Sequence, residues 1–153
     1  MIKNKMPSTE LVRNVRILVD QTTFDKTDKL IEKLIALGFR KETIKAMVLT
    51  KEKNYTNTSN IAFFRESDIK TSKRTNNGEI NFFFENKIDL LINYYNDDNL
   101  LLKFMTALAE ADFNVGFAFE KNNMNHLAID VKTEDFSLFA TEMVKYLKII
   151  KKI

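Results

Sequence analysis

Three aspartates stand where an α/β chain could carry out acid–base or metal chemistry. Asp20 closes the apolar run Val15 to Val19, and Asp97 and Asp98 lie in the polar break after the run Ile88 to Tyr95. Carboxylates at the ends of neighbouring strands can converge on a hard cation such as magnesium, which prefers oxygen ligands. The same residues also have an ordinary reading, which we prefer: Asp20 ends a strand, while Asp97 and Asp98 cap a helix, as Asp commonly does in such turns. No catalytic residue and no metal ligand is therefore assigned, and no cofactor is expected.

His126 is the chain's single histidine and sits between Asn125 and Leu127, with no motif placing a serine or an acid beside it. A general base needs such a partner, so a plain surface histidine is expected. Glu134 and Asp135 precede an apolar stripe and complement a helix dipole. Absent residue types exclude more. With no cysteine there is no disulfide, thiolate chemistry or Cys-ligated metal, and one histidine cannot form a His pair. A dinucleotide or phosphate cradle needs glycine where the backbone approaches the phosphate. The three glycines, Gly38, Gly78 and Gly116, fall outside both polar turns, which excludes NAD, FAD and P-loop nucleotide binding of the usual kind.

A second candidate lies in the middle of the chain. From Arg40 to Arg74 there are nine Lys or Arg residues against four acids, with Tyr55, Phe63 and Phe64 among them. Lys51, Lys53, Lys70, Lys73 and Arg74 would form a basic surface able to follow a phosphate backbone, while the aromatic residues stack bases. A solvated loop over buried phenylalanines is the plainer reading, and no RNA-binding fingerprint is present. The net charge of +3 comes from 24 basic and 21 acidic residues, a mixture that bears on solubility before it bears on nucleic acid.

The elements that must position these residues follow from periodicity. Val15 to Asp20, Ile44 to Thr50, Ile61 to Phe64, Ile88 to Tyr95, Phe113 to Phe117 and Leu127 to Val131 read as strands. The continuous apolar run at Ile88 to Ile92 suits a strand covered on both faces. Helices are predicted over the stripe Leu30 to Leu37, ended by Gly38, and over a short stretch from Glu79. A third carries Leu101, Phe104, Met105, Leu108 and Ala109 inward, and a last one, from Glu134 to Ile150, buries Phe136, Phe139, Met143, Tyr146, Leu147 and Ile150. Leu91 and Phe104 are expected in the core. The polar stretch Glu120 to His126 is too short for a crossover helix, so the last strand is expected to be antiparallel at an edge.

The predicted fold is therefore a single doubly wound, Rossmann-like α/β sheet, mostly parallel, of order 3-2-1-4-5-6 with helices on both faces. Residues 1–13 read as a frayed lead-in and residues 14–153 as one domain. In such sheets ligands bind beyond the carboxyl ends of the strands, where the winding reverses between the first and fourth. That crevice is lined here by Asp20, Gln21, Thr22, Thr23, Asn93, Tyr95, Asn96, Asp97 and Asp98. Asp20 and the turn Asn96 to Asn99 should meet at one edge.

Taken together, Val15 to Asp20, Ile88 to Tyr95, Asn99 to Phe104 with Ala111 to Gly116, and Leu127 to Val131 with the terminal helix resemble a family of small Bacteroidota (flavobacterial) proteins classed as a domain of unknown function. The resemblance runs from about Asn14 to the C-terminus and implies a cytoplasmic protein, with no activity or binding residues to carry over. Relatives tend to have a longer basic lead-in. Ile88 to Gly116 alone is also similar to the N-terminal half of GT-B sugar-nucleotide transferases, a likeness of fold rather than of chemistry, since the second Rossmann-like domain that holds their donor has no counterpart here.

The function expected from these readings is a non-enzymatic cytoplasmic module that binds a protein, or secondarily a polyanion such as nucleic acid, and not a membrane. The alternative is a magnesium-dependent enzyme, or a small-molecule or sugar site, in the carboxylate-lined crevice.

Overall fold

A computed structural model describes residues 11–69, 77–118 and 124–153. Six strands form one sheet: β1 (Val15–Asp20), β2 (Ile44–Leu49), β3 (Ile61–Phe64), β4 (Leu90–Tyr94), β5 (Phe113–Phe117) and β6 (Leu127–Ile129). Their order is β3-β2-β1-β4-β5-β6, as anticipated, and every neighbouring pair is parallel. Among the described residues four α-helices accompany them: α1 (Thr27–Ala36), α2 (Gly78–Glu85) and α3 (Leu100–Ala109) each connect two strands, and α4 (Phe136–Ile149) follows β6. No helix of the described residues is long and apolar enough to cross a membrane.

The sheet divides two cores because successive strand residues face opposite ways. Ile17, Val19, Ile92 and Tyr94 pack with Leu30 and Leu34 of α1 and Phe139 and Met143 of α4. Leu18, Met47 and Leu91 pack with Ile80 and Phe83 of α2 and Leu102 and Met105 of α3. All five residues of β4 are buried, as a strand under helices on both faces must be. Local signals set the helix ends. Gly38 takes φ of +113°, and the Gly38 and Phe39 amides donate back to Ile35 O and Leu34 O, closing α1 in a Schellman turn. The Asn77 side chain accepts from the Glu79 and Ile80 amides and caps α2.

The expected antiparallel edge strand is not found: β6 runs parallel to β5, with Val115, Gly116 and Phe117 opposite Leu127, Ala128 and Ile129. A parallel return needs reach, not a helix. The link 118–126, of which 119–123 lie outside the described residues, is nine residues long and can extend about 30 Å, well beyond the ~17 Å of a five-residue strand. Gly116 gives it room. A Cβ there would stand 2.4 Å from Asn125 Nδ2, so the returning chain lies directly on β5. From that position Asn125 Oδ1 accepts from Asn93 Nδ2 at 2.8 Å, and the His126 amide donates to Asn114 O at 2.8 Å.

Two helix faces are rotated from the predicted stripes. On α3 the buried residues are Leu102, Met105 and Thr106, while Phe104 is 38% exposed. On α4 the buried set is Phe139, Ala140, Met143, Val144 and Leu147; Tyr146 and Ile150 are exposed, the latter just past the helix end at Ile149.

Candidate functional site

Beyond the carboxyl ends of β1 and β2 the chain leaves a hollow of about 430 Å³, walled also by the start of α3 and the turn after β3. Asp20 is its best-fixed residue. The Thr22 amide and hydroxyl donate to Asp20 Oδ1 at 3.0 and 2.7 Å, and Asn99 Nδ2 donates to Oδ2 at 2.9 Å. Asn99 Oδ1 in turn accepts from the Leu102 amide at 3.0 Å, so one side chain caps α3 and ties it to β1. On the other side Thr50 Oγ1 donates to Gln21 Oε1 at 2.5 Å, joining the exits of β1 and β2.

Of the predicted crevice residues, Asp20, Thr22 and Asp98 line this hollow. Asp97 stands beside it in an ion pair with Lys103 at 2.5 Å. Thr23 is exposed, its hydroxyl on Asp20 O at 3.2 Å. Asn96 is half-buried in the turn and does not line the hollow. Asn93 and Tyr95 are turned beneath α3, where Thr106 Oγ1 donates to Asn93 Oδ1 at 3.0 Å and shares a 2.6 Å hydrogen bond with the Tyr95 hydroxyl. Burial pushes Tyr95 above the usual tyrosine range, against the lowering effect of the Thr106 bond. Among the lining residues that sequence reasoning missed are Thr50, Glu66 and Leu100, beside Leu49, Asn99 and Leu101. Strand order was the signal for the first two, since β3-β2-β1 sets the exits of all three strands side by side.

Among the described residues, Asp20, Glu66 and Asp98 line this hollow with a single cation, Lys51. Its chemistry is hostile to phosphate. No group of three or more His, Cys, Asp or Glu among the described residues is placed to hold a metal ion.

The basic segment is divided. Lys51 belongs to the first hollow and Lys53 to a second, of about 490 Å³, shared with Tyr55 and Arg65. Lys70, Lys73 and Arg74 lie outside the described residues. Phe64 is fully buried and offers no face for stacking, and Phe63 is half-buried with its ring 5.8 Å from that of Tyr55.

His126 is half-buried rather than a plain surface residue. Its Nδ1 accepts the Asn114 amide at 2.9 Å and its ring stacks on Phe113, with centroids 5.1 Å apart. It registers β6 against β5. Arg16, on β1, is buried: Nη1 donates to Val15 O at 2.9 Å, and desolvation lowers the guanidinium pKa despite the nearby Asp89 carboxylate.

A family model matches residues 2–150, which span the whole sheet and all four helices. The chain belongs to a family of unknown function, DUF6913. No curated protein and no solved structure matches it. What this member can do must therefore be argued from its own carboxyl edge.

Proposed function

We propose that this DUF6913 chain is a non-enzymatic binding module that engages a protein partner at the carboxyl edge of its sheet. One observation carries the reading: at that edge cations, carboxylates and apolar surface are interleaved. Lys51, Lys53 and Arg65 stand among Asp20, Glu66, Asp68 and Asp98, and Leu100 is 75% exposed at the first hollow. A phosphate backbone favours a surface of one sign, because its affinity comes from counterions released by clustered cations. Interleaved acids oppose that. A protein surface supplies both signs, and an exposed apolar anchor within a polar rim suits such an interface. A cytoplasmic setting and a flavobacterial origin belong to the same proposal and rest on the sequence resemblance alone.

The test is capture from native lysate with the tagged chain and its Leu100→Asp and Lys51→Glu variants, with and without nuclease. We expect a protein that survives nuclease and is lost with Leu100→Asp. Recovery of nucleic acid alone, released by salt, would replace this reading with a polyanion surface. A magnesium-dependent rise in melting temperature, with no captured protein, would replace it with a crevice enzyme.

A further inference from the structure

The second hollow has a chemistry of its own. Its lining includes Lys53, Tyr55 and Thr56 from the segment after β2, and Arg65, Ser67 and Asp68 from the turn after β3. Both segments are pinned. The Phe63 amide donates to Asn57 Oδ1 at 2.9 Å, the Thr58 amide to Ile61 O at 2.8 Å and the Ile61 amide to Thr58 Oγ1 at 3.1 Å, fastening the first segment along β3. Asp68 Oδ2 accepts from the Arg65 amide at 2.9 Å and from Asn77 Nδ2 at 3.3 Å, which holds the second. The Tyr55 ring rests 5.8 Å from that of Phe63 and is 38% exposed.

Lys53 and Arg65 form no ion pair among the described residues. Among the described residues, two cations against one carboxylate leave the lining net positive, the reverse of the first hollow. We propose that this groove binds a phosphate monoester, with Lys53 and Arg65 dividing its charge and the Thr56 and Ser67 hydroxyls donating to its oxygens. A monoester carries nearly two charges and three strong acceptor oxygens, so it needs more than one cation, whereas a carboxylate is served by one arginine fork. The groove's volume lies within the range of small-ligand sites, and its walls are anchored at Asn57, Thr58 and Asp68. Tyr55 gives the esterified group an apolar wall. The monoester could belong to a small phosphorylated molecule or to a phosphoserine in a partner's segment.

The experiment titrates the full chain with glycerol phosphate, with a phosphoserine hexapeptide and with the same peptide unphosphorylated, following backbone amides by NMR at about 150 mM salt, where diffuse surface attraction is screened beyond about 8 Å. Saturable shifts confined to residues 53–56 and 65–68 are expected, with none from the unphosphorylated peptide. Lys53→Gln and Arg65→Gln should each weaken binding by about tenfold or more without lowering the melting temperature, since each removes a charge-assisted contact. Equal affinities for the two phosphorylated probes would assign a small molecule, and a peptide about tenfold tighter would assign a partner's side chain. Failure of both probes to saturate, or undiminished binding in the double variant, would overturn the proposal. Because only defined probes are used, the outcome does not depend on whether a protein is captured at Leu100.

Discussion

Asn99 Nδ2 donates to Asp20 Oδ2 at 2.9 Å, joining residues 79 apart in sequence. The contact exists because β1 and β4 are parallel neighbours, so the turn after β4 opens beside the end of β1. Asn99 also caps α3 through its Oδ1, so both polar ends of one amide are used. The first hollow thus has a wall whose position is set jointly by helix capping and by the sheet's reversal of winding.

Asn99→Ala should lose both functions. A helix cap is worth about 1 kcal/mol and a hydrogen bond to a charged group somewhat more, so urea unfolding should show a loss of about 2 kcal/mol. Asn99→Ser keeps an oxygen for the Leu102 amide but cannot reach Asp20, and should recover roughly half of that loss. Equal stability of the alanine and serine variants would show that the cap contributes nothing.

Gly116→Ala tests the crossing that replaces a helix before β6. Its new methyl would collide with Asn125 Nδ2, and overpacking of this kind costs about 1–3 kcal/mol. Removing the obstacle with Asn125→Ala also removes a partner from Asn93, so each single variant is destabilised. The double variant should nevertheless be more stable than the two losses added, because the collision is gone. Strict additivity, measured by urea midpoints, would place Asn125 elsewhere.

Most of the sheet was legible from runs of apolar residues, and the strand order followed from the alternation of strands and helices. What periodicity could not show is where polar side chains are buried. Thr106 reads as a solvent position, yet it faces inward, where its hydroxyl lies within hydrogen-bond reach of Asn93 Oδ1, Leu102 O and the Tyr95 hydroxyl. Counting Thr106 out and Phe104 in turned α3 by about one residue. The same blindness sent Asn93 and Tyr95 to the crevice on paper, although the pleat turns both under α3. At the other edge, the stretch Glu120 to His126 is too short for a crossover helix and so reads as an antiparallel return, whereas β6 lies parallel to β5 with Asn125 packed on Gly116.

The corrected α3 face separates two substitutions that periodicity alone treats alike. Leu91 is fully buried, and Leu91→Ala should cost about 2–5 kcal/mol. Phe104 is 38% exposed, and Phe104→Ala should cost less than half as much. Denaturant unfolding of the pair gives the comparison. Comparable losses would return Phe104 to the core.

Alkaline pH provides the last test, through the two tyrosines of β4 and its end. The Tyr94 hydroxyl donates to Thr133 O at 2.5 Å, and its pKa is raised first by burial and then by the Asp135 and Glu134 carboxylates. Tyr95 is raised chiefly by burial and further by Asp97. In the unfolded chain a tyrosine loses its proton near ~10, whereas these two keep theirs in the folded state, so the folded state binds more protons above that pH. The associated stability is fully present below about pH 10 and falls as pH rises beyond it, by about 1.4 kcal/mol per pH unit for each tyrosine. Phenolate absorbance from two of the four tyrosines should therefore appear only together with unfolding. Tyr95→Phe should cost about 1 kcal/mol at neutral pH by removing the Thr106 bond, yet lose stability less steeply above about pH 10. The same alkaline slope in wild type and Tyr95→Phe would show that the Tyr95 hydroxyl reaches solvent and that the polar layer beneath α3 is open.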